Sequence, residues 1–200
     1  MNAIAKRIRA KRRGSVFTPK DFSDLGMGRS ALDKSLARLA QRGDIRRLAQ
    51  GIYDKPKVSP SLGPLSPSPD DIADAIARRD GHRSGPTPAR AANQLGLTTQ
   101  MPAKPVYLTD GTSRTLKVGG RDVSFRRAAS RNLVGGSTPV GQVVQALRYL
   151  GRDGVDEDVL DMLRARIPTA ERRRLTAVVD DVPAWMAPAL RSLAATEQGV

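Results

Sequence analysis

Residues 18–57, "TPKDFSDLGMGRSALDKSLARLAQRGDIRRLAQGIYDKPK", decide how this chain is read. Thr18-Pro19-Lys20-Asp21 is a helix start: the threonine can cap, proline suits a first turn, and the aspartate favours the positive end of the helix dipole. Phe22 and Leu25 then face inward and Gly26 stops the helix. The next run, residues 28–43, has the clearest period of the N-terminal half. At about 100° per residue, Leu32, Leu36, Leu39 and Ala40 gather on one side, with Lys34, Arg38 and Gln41 opposite and Ser30 and Arg42 at the flanks. After Gly43 and Asp44 come two short strand candidates, "IRRL" and "GIYDK", joined at Ala49-Gln50-Gly51. Ile45, Leu48, Ile52 and Tyr53 supply their anchors, leaving Arg46, Arg47, Gln50 and Lys55 to project.

Upstream, residues 3–13 form a helix candidate with Ile4 and Ile8 one turn apart among six cations, ended by Gly14 and followed by the short apolar "SVF". Helix, short strand, helix, turn, amphipathic helix and hairpin within residues 1–55 is the layout of a winged helix-turn-helix. Its logic is geometric: a helix is narrow enough for the major groove of B-form DNA, and a basic hairpin beside it can reach the neighbouring backbone.

Charge supports the same reading. The chain carries 34 Lys and Arg against 20 Asp and Glu, and residues 1–60 hold 15 of the basic and 5 of the acidic residues, a net +10 against +4 for the rest. A basic domain beside a nearly balanced one points to a polyanionic partner, because each phosphate it pairs releases condensed counterions. One Trp, three Tyr and three Phe are too few for a single-strand stacking platform. No apolar run is long enough to span a bilayer and no secretory signal is evident, so the expected location is cytoplasmic, with no membrane partner. Without cysteine, and with His82 as the one histidine, neither a disulfide nor a thiolate zinc site is available.

Residues 56–69, "PKVSPSLGPLSPSP", lack a helical or strand period and read as a semi-rigid, proline-rich linker. Ser68-Pro69-Asp70-Asp71 opens another helix with Ile72 and Ile76 on its buried edge, and Thr87-Pro88 opens a further one. "TPKDFSDLGM" and "TPARAANQLGL" share a Thr-Pro start and a Leu-Gly end. Either a degenerate second winged helix occupies 70–130, or both segments use the same generic helix punctuation. "VYLTD" and "RTLKVGGRDVSFRR" are strands, the second a hairpin turning at Gly119-Gly120. A helical tail over 138–198 carries the stripes Val140, Val143, Val144, Leu147, Leu150 and Leu160, Leu163, Ile167, continued by Leu175, Val178 and Val179, with Trp185 and Met186 in the final piece. The expected fold class is mainly α with small β-hairpins (α+β): an N-terminal winged helix-turn-helix over 1–55 plus a C-terminal α/β-hairpin and helical domain over 70–200.

No catalytic constellation emerges. His82 lies in the polar turn "RRDGHRSGPTP", and the carboxylates at Asp70-Asp71, Asp153 to Asp158 and Asp180-Asp181 sit at helix starts and loops, where dipole compensation accounts for most of them. "DGVDEDVLD" lacks the spacing of a calcium loop. The expectation is a binding protein, not an enzyme, without cofactor or metal.

The run "RGSVFTPKDFSDLGMGRSALDKSLARLAQRGDIRRLAQGIYDKPK", followed by a second domain of similar size, resembles the AbiEi-type antitoxins of type IV toxin–antitoxin (abortive infection) systems. The elements that match are the "TPKDF" helix start, the "RSALDKSLARLAQRGDI" recognition-type helix and the "RRLAQGIYDKPK" wing. The resemblance implies a transcriptional repressor of its own operon. A winged helix would bind double-stranded DNA at repeats in the promoter, as a monomer or DNA-induced dimer, and a C-terminal domain would counteract a cognate nucleotidyltransferase-like toxin. Carried onto this chain, it puts Ser30 and Lys34 nearest base edges, with Arg29, Arg38, Arg46, Arg47 and Gln50 holding the backbone or groove flank. The alternatives are a ligand-responsive winged-helix regulator without a toxin partner, and an interaction protein whose basic half binds RNA or an acidic protein.

Overall fold

The prolines and glycines that punctuate the sequence fall at element ends in the computed structural model, which describes residues 3–195. Pro19, Pro69, Pro88 and Pro139 each stand in the first turn of a helix, where the missing N–H would have no partner anyway. The architecture is mixed α+β, helices with small antiparallel sheets. It divides into two units: residues up to His82 together with Thr115–Ser124, and Arg83–Arg114 together with Phe125 onward. Residues 1–2 of the expected 1–55 domain and 196–198 of the expected tail lie outside the described residues.

The first unit begins with α1 (Ala3–Ala10), β1 (Val16–Phe17), a 3-10 helix (Pro19–Leu25) and α2 (Arg29–Gln41). Then come β2 (Arg46–Ala49), β3 (Ile52–Asp54), β4 (Val58–Ser59), β5 (Gly63–Pro64) and α3 (Pro69–Asp80). α1 stops three residues before the expected Arg13, and Lys55 reaches back to its end, where its Nζ donates to the carbonyls of Arg9 (2.6 Å) and Lys11 (2.7 Å). A cation on the last carbonyls of a helix satisfies them and complements the dipole. Lys55 therefore does not project as its strand pattern suggests.

The segment after Thr18 is a 3-10 helix held at its start by Asp21, whose carboxylate accepts from the Thr18 N–H (2.7 Å) and hydroxyl (3.1 Å). β1, β3 and β2 form an antiparallel sheet in the order β1-β3-β2, with Val16 opposite Asp54 and Phe17 opposite Tyr53. Beneath it Ile4, Ile8, Leu32, Leu36, Leu39 and Ile45 close a core around Phe17, which meets Phe22 edge-on at 5.6 Å and stacks on Tyr53 at 6.4 Å. The period of α2 places the same three leucines inside, as its sequence pattern requires.

Residues 56–69, expected as a bare linker, contain the β4–β5 pair, with Val58 opposite Pro64 and Ser59 opposite Gly63. α3 likewise belongs to the first unit and not to a domain starting at residue 70. Arg78 ties the helix to that unit, donating to the Asp21 carboxylate (3.1 Å) and the Val16 carbonyl (3.3 Å), while Lys20 donates to the Arg79 carbonyl (3.3 Å). Residues 70–130, the span of the alternative second winged helix, are thus divided between the two units.

The second unit holds β6 (Ser84–Pro86), α4 (Pro88–Gln94), β7 (Val106–Thr109) and the base of a hairpin made by β8 (Arg114–Val118) and β9 (Arg121–Arg127). The strand order is β6-β7-β9-β8. The hairpin turns at Gly119-Gly120 as expected, both with left-handed φ (57° and 79°), the pair a two-residue turn needs. α5 (Pro139–Leu150), α6 (Glu157–Arg166), α7 (Thr169–Arg173) and α8 (Ala187–Ala194) follow. The predicted stripes merge into one core: Val140, Val143, Val144, Leu147, Leu160, Leu163, Ile167, Leu175 and Val179 are buried, with Met186 beside them and Leu150, Val178 and Trp185 at its margin. α5 starts against the backbone of the Gly135-Gly136 turn, so close that a Cβ on Gly141 would overlap the Gly136 carbonyl.

Candidate nucleic-acid interface

The burial of Leu32, Leu36 and Leu39 fixes the rotation of α2, and with it the two rows that its polar residues form. Ser30, Lys34, Arg38 and Gln41 are exposed, and neither Lys34 nor Arg38 has an ion-pair partner among the described residues. The adjoining row is Arg29, Asp33 and Ala37. Arg29 Nε donates to Asp33 Oδ2 at 3.0 Å, an exposed pair one turn apart and worth only about 0.3–0.5 kcal/mol. Its guanidinium is therefore loosely held.

β2 divides its two arginines between different tasks. Arg46 turns to Asp54: Nε donates to Oδ1 (3.1 Å), Nη2 to Oδ2 (2.6 Å), and the same Nη2 to the Leu65 carbonyl (2.8 Å). The Asp54 side chain is wholly buried, and its hydrogen bonds raise the Arg46 pKa further above the ordinary arginine value. A buried carboxylate needs such a two-pronged partner. Arg46, expected at the groove flank, is thus committed to the fold. Arg47, next along the strand, lies opposite Tyr53, is exposed and has no ion-pair partner among the described residues. The register then shifts between Arg47 and Ala49, an irregularity that leaves Leu48 as the extra residue. Gln50 sits exposed in the turn beside Gly51, whose φ is +67°.

The extra residue has a partner that sequence reasoning missed. The Leu48 carbonyl accepts from the Gly119 N–H at 3.1 Å, which seats the tip of the β8–β9 hairpin against the β2–β3 hairpin. Between them and α2 lies a cleft of about 660 Å³ whose walls include Arg29, Arg47, Gln50, Arg79 and Lys117. The walls of a smaller cleft of about 140 Å³ include Arg46, Arg47, Val118 and Arg121. Arg79 is paired with Asp80 (2.8 Å) and Arg29 with Asp33, so Arg47 and Lys117 are the unpaired cations of the larger cleft. Lys117 and Arg121 flank the glycine turn in the sequence, but a hairpin pattern cannot say which body its tip rejoins.

Of the seven residues named from the sequence, the larger cleft gathers Arg29, Arg47 and Gln50. Lys34 and Arg38 lie on the neighbouring exposed row of α2, Ser30 at its start, and Arg46 is tied to Asp54. Among the described residues no group of three His, Cys, Asp or Glu side chains is placed to hold a metal ion, and no helix is long and apolar enough to cross a membrane.

A family model described as "Family of unknown function (DUF6088)" matches residues 3–174, and the chain belongs to that family. No curated protein sequence matches the chain. Among solved structures, the Rv2827c protein from Mycobacterium tuberculosis is similar at 18% identity, with 97% of this chain and 81% of that chain covered and a TM-score of 0.41.

Proposed function

We propose that this member of a family without an assigned activity is an autoregulating antitoxin of a type IV toxin–antitoxin system. Its first unit would bind double-stranded promoter DNA as a winged helix-turn-helix, and its second would counteract a nucleotidyltransferase-like toxin. The observation that carries the DNA-binding half is the arrangement helix, strand, helical turn, helix, hairpin with the sheet order β1-β3-β2, in which the exposed row of α2 bears Lys34 and Arg38 and the following strand bears Arg47. These cations have no carboxylate partners among the described residues, whereas Arg7, Arg42, Arg46 and Arg78 of the same unit each do. An exposed cation without a carboxylate partner is available to a phosphate, whose neutralisation releases condensed counterions. The toxin-directed half rests on the resemblance of the N-terminal segment and on the presence of a second unit with its own core.

A gel-shift titration on the duplex just upstream of the gene, against random duplex of equal length, tests the first half. Tighter binding to the upstream duplex is expected, and equal binding defeats promoter recognition. Co-expression with the neighbouring reading frame tests the second: rescue from that neighbour's toxicity is expected, and no rescue refutes an antitoxin.

A further inference from the structure

We infer that the tip of the β8–β9 hairpin, residues 115–124, is a second wing of the DNA-binding surface, with Lys117 and Arg121 holding phosphates of the duplex backbone beside Arg47. This rests on the proposed DNA-binding role of the first unit and extends it to a segment more than sixty residues further along the chain.

Four observations converge on it. The tip is fixed to the β2–β3 hairpin by the Gly119 N–H donating to the Leu48 carbonyl, and Val118 and Val123 are buried while Lys117 and Arg121 are exposed. The hairpin is therefore seated by its apolar residues and shows its cations outward. Arg47 borders both clefts, with Lys117 on the larger and Arg121 on the smaller, so the tip brings a cation to each cleft that Arg47 lines. None of the three has an ion-pair partner among the described residues, although Asp122 lies in the same tip. Gathering like charges without counter-charge is unfavourable in the free protein and becomes favourable when a polyanion displaces its condensed counterions. Finally, Tyr53, the aromatic residue among those lining the larger cleft, is 5% exposed and stacks on Phe17 in the core. The surface thus offers charge without a stacking face, which suits a duplex backbone better than unpaired bases.

The test uses the full chain and three ligands: the upstream duplex, a random duplex and an RNA hairpin, titrated by fluorescence anisotropy from about 50 to 200 mM salt. The variants are K117Q/R121Q, R47Q and K34A. K117Q/R121Q is expected to bind both DNA duplexes on the order of tenfold more weakly, by the same factor, with the log–log salt slope smaller by about 2, one unit for each phosphate no longer neutralised. Its thermal midpoint should match the wild type, since both side chains are exposed and unpaired. Unchanged DNA affinity and slope in K117Q/R121Q, while R47Q or K34A weakens binding, overturns the second wing alone. Weakening seen only on the RNA hairpin overturns it as well. A wild-type chain that binds neither duplex overturns both the wing and the DNA-binding reading beneath it.

Discussion

Arg46 and Asp54 face each other across the β2–β3 pair, the arginine donating through two nitrogens to both oxygens of a carboxylate that has no exposed surface. Among the cations of this basic segment, this one stabilises the hairpin from within. Replacing Arg46 by Ala leaves the Asp54 charge buried and unpaired, and should cost about 3 kcal/mol or more in urea unfolding. R46A should therefore lower the unfolding midpoint markedly, whereas R47A should leave it within about 0.5 kcal/mol of the wild type. Equal effects of the two would contradict the division of labour on β2.

On DNA the order should reverse for folded variants. R47Q should weaken upstream and random duplexes alike and reduce the salt slope by about 1, the signature of a phosphate contact. K34A should instead narrow the gap between the two duplexes, by about 1–3 kcal/mol if Lys34 reads a base edge. A K34A variant whose preference for the upstream duplex is unaltered would assign that lysine to the backbone.

Gly141 should tolerate no side chain. A methyl group there meets the Gly136 carbonyl and the Gly135 backbone, neither of which is the free end of a flexible chain. G141A should destabilise the second unit by about 1–3 kcal/mol, the usual cost of overpacking, as read by calorimetry. A substitution to alanine at Gly120, where nothing lies within 4 Å of a Cβ, gives the contrasting case in which only the positive φ is strained.

Asp24 gives a pH signature. Its carboxylate accepts a hydrogen bond from Arg7, which is the main cause holding its pKa below the ordinary aspartate value, with the Arg7 charge acting in the same direction. A folded-state pKa lower than the unfolded one means a contribution that is present above the unfolded pKa and disappears as pH falls through the folded one. Carbon-detected NMR should find the Asp24 midpoint depressed in the wild type and moved upward in R7Q. The difference in stability between the two proteins should vanish in acid below both midpoints.

What the sequence could and could not show follows from the range of each interaction. The leucine period of α2 is local, so its buried side, and the exposure of Lys34 and Arg38 opposite, are legible directly. The glycine pair at 119–120 likewise announces its turn. The fates of Arg46 and Arg47 cannot be separated that way, because strand alternation says that adjacent residues point apart without saying which meets a buried acid. Lys55 escapes its strand pattern for the same reason: its partners are carbonyls at the end of a helix more than forty residues away. The pairing of Arg78 with Asp21 is equally remote, and without it α3 looks like the start of a second domain.

The return of residues 115–124 to the first unit makes that unit discontinuous in the chain. A fragment ending at His82 would retain α1 to α3 and both early sheets, yet it would leave the Leu48 carbonyl without its Gly119 donor and remove Val118 from beside Leu48 and Ile72. Such a fragment is a damaged body, not a module. Chimeras and fusion proteins made from this chain should keep the later hairpin with the early helices, and any property lost by a shorter piece should not be credited to the absent helical region alone.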